Sequence, residues 1–464
     1  MDTAISWFSQ ANSQAGKNGL LLIADNCDAL AVRVLTARGA QRTLDLMYYL
    51  WHDDHTGRLL MHEVLAAADR GVSVRLLLDD INTRNDDAFY LAIDSHPNIE
   101  VRLFNPSGTR TGIVLRGVEV VLRLFAMTRR MHNKAWIADS EVAIVGGRNL
   151  GDAYFDAAET NFRDLDVLLV GPAVQQTNEI FETFWNSESV RPVRALHPAA
   201  PAAGSANYPG AEASEGLLDR IAAYSTITQY IEASSDVVWT EHARVISDPP
   251  EKVRGRKRRN WLLRELRPII ESAREHLEVI TPYFIPGRNG ASILFDLVGR
   301  GTEVRILTNS LAATDVAAVH GAYANYRKDL LRGGVRLFEL QPFARQPKIS
   351  VFGSKGASLH TKAFTVDDRL GFVGSFNFDP RSVTLNSEMG VLFEDEHLVA
   401  QLRQRFQNEI SPQTSYQLSL HHNQLRWTGA LDGETRQFES EPEASLYRRL
   451  VAAVVRALPI ESQL

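Results

Sequence analysis

The sequence predicts an α/β protein built from two fused copies of one α-β-α sandwich unit, and three observations carry that reading. The stretch MHNKAWIADSEVAIVGGRN beginning at Met131 is written again as LHTKAFTVDDRLGFVGSFN from Leu359. Similarity continues outside that motif: LAAADRGVSVRLLLDD (65–80) parallels FDLVGRGTEVRILTNS (295–310), and NIEVRLFNP (98–106) parallels RGGVRLFELQP (332–342). The offset is steady, from Gly71 to Gly301, Arg75 to Arg305 and His132 to His360. A fixed offset across successive elements signifies duplication of a whole folding unit.

Within each copy the elements alternate. Leu44–Leu50 is a short apolar, aromatic-rich run and reads as a strand. Gly57–Arg70 reads as a helix with Leu59, Leu60, Val64 and Ala67 on one face. Gly71 stops it as the left-handed residue beyond a helix end. VSVRLLLD then reads as a buried strand, and Gly301 stops the equivalent helix in the second copy. Alternation of this kind predicts a mostly parallel sheet packed by helices. The repeated motif reads as a hairpin, NKAWIA joined to EVAIVGG at Asp139–Ser140, and KAFTV joined to LGFVG at 367–369. Side chains two apart on a strand share a face, so His132 and Lys134 are expected to point together, as are His360 and Lys362. Asp139 and Asp367 fall at the turns, where Asp commonly bonds nearby backbone, and read as mainly structural members of their triplets. The expected boundaries are 20–190 for the first repeat, 191–260 for a connecting segment that includes a Pro/Ala/Gly/Ser-rich stretch, 261–430 for the second repeat and 431–464 for a tail.

Composition narrows the function. The 464 residues are 44% hydrophobic and 23% charged, ordinary for a globular protein with a large core. A net charge of -6 gives no global attraction to nucleic acid or anionic membrane, so such contacts must be local. The basic run EKVRGRKRRN (251–260) reads first as a solvated loop, and otherwise as a contact for anionic headgroups. Cys27 is the sole cysteine, which excludes an intramolecular disulfide and a cysteine-based zinc site. The first residues lack the basic start and apolar run of a secretory signal, and GLLLI (19–23) is too short to cross a bilayer. WHDDH (51–55) reads as a polar loop after a strand, and no metal site is expected.

The motif residues suit a phosphodiester. If the copies pack about a pseudo-two-fold axis, one pocket gathers His132, Lys134 and Asn149 with His360, Lys362 and Asn377. The lysines and asparagines would hold the non-bridging oxygens, with backbone N–H groups at Gly147 and Ser375 approaching the same atoms. One histidine would attack phosphorus while the other protonates the departing alcohol, giving a phosphohistidine. The lysines supply the positive charge, so no metal or other cofactor is called for. Each imidazole needs an acceptor on its second nitrogen. Asp164, 32 residues past His132, and Glu388, 28 past His360, are the candidates, with Asp166 an alternative in the first copy.

Two copies of His-x-Lys-x4-Asp-x6-Gly-x2-Asn resemble the phospholipase D superfamily. LDLMYYLWHDDHTGRLL, HPNIEVRLFNP, RRMHNK, VGGRN, LTNSLAATDVAAVH, VGSFNFDPRS and LPIESQL resemble its bacterial cardiolipin synthase branch. The resemblance implies two phospholipase D-type domains sharing one active site, catalytic His-Lys-Asp triplets at 132, 134, 139 and 360, 362, 367, and transfer of a phosphatidyl group through a phosphohistidine. It further implies phosphatidylglycerol as acceptor, phosphatidylethanolamine as a donor, His132 as nucleophile and His360 as general acid and base. Phospholipid substrates and a peripheral place on the cytoplasmic face of a bacterial inner membrane follow from it. Hydrolysis to phosphatidic acid, as by an exported effector, is the alternative, and a metal-independent nuclease a lesser one. No nucleic acid is expected as partner. The stretch TGIVLRGVEVVLRLFAMTRR (111–130) reads either as an interfacial helix that would touch lipid through Val121 and Phe125, or as a core helix.

Overall fold

The structure, a computed structural model, describes residues 16–83, 87–106, 129–196, 226–234, 237–255, 261–342, 356–431 and 433–458. The first copy supplies strands β1 (Asn18–Ile23), β2 (Thr43–Tyr48), β3 (Ser73–Asp79), β4 (Ile99–Phe104), β5 (Ala135–Ala138), β6 (Val142–Gly146), β7 (Thr160–Arg163), β8 (Asp166–Val170) and β9 (Val190–Pro192). With β10 (Val238–Thr240), all but β7 form one sheet in the order β10-β1-β8-β6-β5-β2-β3-β4-β9. The second copy supplies β11 (Ala243–Ser247), β12 (His276–Ile280), β13 (Glu303–Asn309), β14 (Arg336–Leu340), β15 (Gly356–Leu359), β16 (Ala363–Val366), β17 (Leu370–Gly374), β18 (Met389–Glu394), β19 (Ser415–His421), β20 (Gln424–Leu431) and β21 (Glu434–Phe438). Its sheet runs β11-β18-β17-β16-β12-β13-β14-β19-β20-β21, with β15 paired instead to β7 of the first copy.

The sheets are mixed rather than mostly parallel. In each, only the three strands linked through helices run parallel, β2-β3-β4 and β12-β13-β14. The motif hairpins β5-β6 and β16-β17 insert antiparallel, because a tight turn can only join antiparallel strands. The helix His55–Asp69 begins on the Asp54 cap, whose carboxylate accepts the Gly57 N–H, and is followed by Gly71 at φ 96°. Gly301 takes the same conformation at φ 94°.

Period-two alternation sets the layers. Leu44, Leu46, Val74, Leu76, Trp136 and Ala138 face an outer core shared with the helices Asn26–Gly39 and His55–Asp69. Their neighbours Met47, Leu77, Ala135, Ile137 and Val145 face inward. There they join Ala363, Val373, Met389 and Val391 of the second copy and the helices Pro172–Trp185 and Glu396–Glu409 in one central core. The two copies are therefore welded by buried apolar surface.

Some residues expected as connector and tail belong to the sheets. From 191–260, β10 closes one edge of the first sheet and β11 one edge of the second, so the crossover lies between Thr240 and Ala243. From 431–464, β21 pairs with β20, and the helix Leu446–Ala457 packs beside the helix Ala317–Tyr323. In the basic run, Lys252 is buried and bonds Asp248 at 2.7 Å, so it serves the fold. Residues 256–260 of that run, and Val121 and Phe125 with the rest of 111–128, lie outside the described residues.

Candidate active site

Both motif histidines precede their hairpins instead of lying on them. β5 starts at Ala135 and β16 at Ala363, because the backbone just before each is engaged by the other copy. Met131 bridges Ser387 in parallel, with His132 N–H donating to Ser387 O at 2.9 Å. Symmetrically, Leu359 of β15 pairs with Arg163 of β7, and His360 N–H donates to Arg163 O at 2.8 Å. The residue after Ser387 is Glu388, and the residue after Arg163 is Asp164. The orienting acids are thereby exchanged between copies. His132 Nδ1 lies 2.8 Å from Glu388 Oε2, and His360 Nδ1 lies 2.5 Å from Asp164 Oδ2. Sequence order paired each acid with the motif upstream of it; the fold pairs each with the motif of the opposite repeat. With Nδ1–H donated to a carboxylate, each ring presents Nε2 for chemistry, as a lone pair when neutral and as an N–H donor when protonated.

The site is buried and charged. His132 is 9% exposed and His360 5%, while Glu388 and Asp164 are fully enclosed. Burial pushes the His132 imidazole down to about 4, against the pull of Glu388, and His360 is lowered by burial and by Lys362. Burial opposes ionisation of Glu388, but His132, Lys134 and the Ser375 hydroxyl together hold it below the usual carboxylate range. Asp164 is held low in the same way by His360 and Lys362. Lys134 Nζ donates to His132 O at 2.7 Å, and Lys362 Nζ to His360 O. Both ammoniums have lowered proton affinity, chiefly through burial, and Lys362 lowers Lys134 further. A pocket with two buried ammoniums in mutual repulsion favours an anion.

Several expectations need correction. Asp139 and Asp367, catalytic by the resemblance but structural by their place in the turns, are engaged with backbone. At φ 54° and 52°, their carboxylates accept the backbone N–H groups of Gln41, Arg42 and Thr43, and of Arg274, Glu275 and His276. They tie each hairpin turn to the start of the neighbouring strand, and three N–H donors hold Asp367 low in spite of partial burial. Nor are Gly147 and Ser375 phosphate ligands. Their N–H groups donate to Leu165 O and Met389 O, so neither of the two is left for an anion. Their roles belong to the acids. A Cβ on Gly147 would sit 2.2 Å from Asp164 Oδ1, so glycine makes room for that carboxylate. The Ser375 hydroxyl donates to Glu388 Oε2 at 2.5 Å.

Asn149 Nδ2 lies 2.8 Å from the Tyr154 hydroxyl, while its Oδ1 and that of Asn377 are buried without hydrogen-bond partners. Turning the Asn149 amide over would let Oδ1 accept the tyrosine hydroxyl and free Nδ2 as a donor.

Other neighbours were not singled out by sequence. Tyr49 stands edge-on to His132 with centroids 5.1 Å apart, and Tyr154 and Phe162 enclose His360 at 5.2 and 4.9 Å. Ser382 Oγ donates to Glu388 Oε1 at 2.8 Å, and Asp248 accepts the Glu388 N–H at 3.1 Å. Tyr49 and Ser382 lie within the phrases LDLMYYL and VGSFNFDPRS, but no spacing rule marks them.

The family described as cardiolipin synthase, PLD-like domain, matches residues 36–185 and 266–410, one match in each copy. The chain is 40% identical to cardiolipin synthase C of Escherichia coli over 96% of both chains. It is 31% identical to an uncharacterized protein of Helicobacter pylori, across 95% of this chain and 88% of that one. In fold it is similar to the crystal structure of a phosphatidylserine synthase from Haemophilus influenzae, with TM-score 0.63 at 14% identity over 96% of this chain and 95% of that one. With the duplicated site and the matching family domain in each half, the chain belongs to the phospholipase D-like cardiolipin synthase family.

Proposed function

We propose that this protein makes cardiolipin by passing a phosphatidyl group through a phosphohistidine. The observation that carries the reading is the exchanged pair of buried His–carboxylate contacts beside two buried lysines. His132 Nε2 forms a bond to phosphorus as the bond to the departing alcohol oxygen breaks. His360 gives its Nε2 proton to that oxygen, then takes the proton of the incoming hydroxyl as the P–N bond breaks. Lys134 and Lys362 hold the non-bridging oxygens, with Asn149 and Asn377 as further donors. Glu388 stabilises the imidazolium character that His132 gains, and Asp164 does so for His360. His132 is assigned as nucleophile from the family resemblance, and burial keeps it in the unprotonated form that attack requires.

Phosphatidylglycerol as acceptor is supported by the relationship to cardiolipin synthase C. Among the described residues no helix is long and apolar enough to cross a membrane. Peripheral contact with lipid at the cytoplasmic face of a bacterial inner membrane is part of the proposal.

The test incubates the protein, without added metal, with vesicles of phosphatidylethanolamine with and without phosphatidylglycerol, and resolves the lipids by mass. Cardiolipin that depends on phosphatidylglycerol is the expected product. Phosphatidic acid alone would overturn transfer in favour of hydrolysis. His132→Ala and His360→Ala should each abolish turnover, and substantial residual activity in either would refute the mechanism.

A further inference from the structure

We propose that the C-terminal helix Leu446–Ala457 docks on the lipid bilayer and presents the mouth of the active site to it. This rests on the reading that the substrates are phospholipids. A surface helix normally turns its apolar stripe inward. This one is reversed: Leu446 is 85% exposed, Tyr447 75%, Leu450 63% and Val454 51%, with Leu458 just beyond it. Its attachment is polar and close-packed. Arg448 donates to the carbonyls of Leu311 and Thr314, Arg449 to those of Glu441 and Ala444, and Arg456 to Asn325 Oδ1. Ala452 lies directly on Gly321, where an added Cβ would come within 2.6 Å of the Ala452 carbonyl. The apolar face is thus held outward by the helix's own arginines.

Two features favour a bilayer over a second copy of the chain. The helix carries no acid between Leu446 and Ala457, so none of its own side chains repels anionic headgroups. The helix is also tied to a loop that reaches the site. Among the described residues, the remaining exposed large hydrophobics are Ile81 and Val316. Ile81 lies two residues past Asp79, whose carboxylate accepts the N–H groups of Ile81 and of Met131, next to His132. Val316 follows Asp315, which accepts the Tyr283 hydroxyl at 2.8 Å and lies within electrostatic reach of His360 and Lys362. Arg448 anchors the helix to the loop that carries Asp315 and Val316. Clustered exposed apolar residues mark an interaction surface, and a tyrosine among them suits the headgroup level.

The test uses full-length protein and vesicles of phosphatidylglycerol and phosphatidylethanolamine. Leu450→Glu combined with Val454→Glu should lower the vesicle-bound fraction in flotation at least tenfold. Turnover of a dispersed short-chain phospholipid should stay within about twofold, since neither residue touches the site. In a Tyr447→Trp variant, the emission of the introduced indole should shift to the blue when vesicles are added. Unchanged flotation of the double variant, or an unmoved indole emission with protein that floats, would overturn the proposal. So would a wild-type dimer that the double variant splits without loss of vesicle binding, because the helix would then face a second copy. Absence of short-chain turnover in the wild type would instead refute the proposed reaction, while flotation would still judge the helix.

Discussion

Glu388→Gln is the most informative single change at this site. The wild-type carboxylate sits 2.8 Å from His132 Nδ1. As His132 gains positive charge in attack on phosphorus, unit charges at that separation attract by about 6 kcal/mol at an effective dielectric of about 20. Glutamine has nearly the same shape and keeps a neutral hydrogen bond worth about 1 kcal/mol. The loss in transition-state stabilisation is then about 4–5 kcal/mol, a fall in turnover of about 10³–10⁴-fold. Cardiolipin formation is measured alongside thermal unfolding, so that loss of protein is separated from loss of chemistry. The exchange of acids between repeats is read by proton NMR on histidine-labelled protein. Glu388→Gln should remove the downfield Nδ1–H resonance of His132 and leave that of His360, and Asp164→Asn should do the reverse. A loss of less than tenfold would refute the electrostatic role. Disappearance of the resonance belonging to the same repeat as the altered acid would refute the exchanged pairing.

Other consequences are open to direct test. Gly147→Ala forces a methyl into the place of the Asp164 carboxylate, so turnover should fall at least a hundredfold with circular dichroism unchanged, and near-normal activity would refute the close approach. Asp139→Ala removes three backbone hydrogen bonds to a charged acceptor at a left-handed residue and should cost about 2–4 kcal/mol in denaturant unfolding, with turnover per folded molecule within about threefold. Asp139→Asn should recover part of that stability, since asparagine tolerates the same conformation. On a soluble phosphodiester, kcat/KM should persist as pH falls through 6.5 and be lost only near 4. The attacking imidazole must be unprotonated, and burial has lowered its pKa, so protonation is delayed to lower pH. An acid limb centred near 6.5 would contradict that reading.

How far the site was legible depended on whether its determinants are local. The duplicated motif identifies His132, Lys134, His360 and Lys362 because residue type and spacing are written along the chain, and the helix stops at Gly71 and Gly301 need only a local left-handed conformation. The roles of Asp139 and Asp367 were half legible. A turn acid that bonds backbone was foreseen, but the donors belong to residues 41–43 and 274–276, far away in sequence. Gly147 and Ser375 resembled anion-cradling positions, yet strand pairing had already taken their N–H groups. Strand composition likewise could not show that the motif hairpins would enter each sheet antiparallel.

Sequence by itself determined that the chain is a duplication, that each half alternates strand and helix, and which imidazoles and ammoniums are available. Those facts are periodic or repeated, so they survive without coordinates. Only the tertiary structure decided that Glu388 serves His132 and Asp164 serves His360. That choice follows from the parallel pairing of Met131 with Ser387 and of Leu359 with Arg163, each a contact between opposite repeats. Hydrogen-bond partners so distant are set by how two apolar sheet faces close on a common core, which no local pattern records.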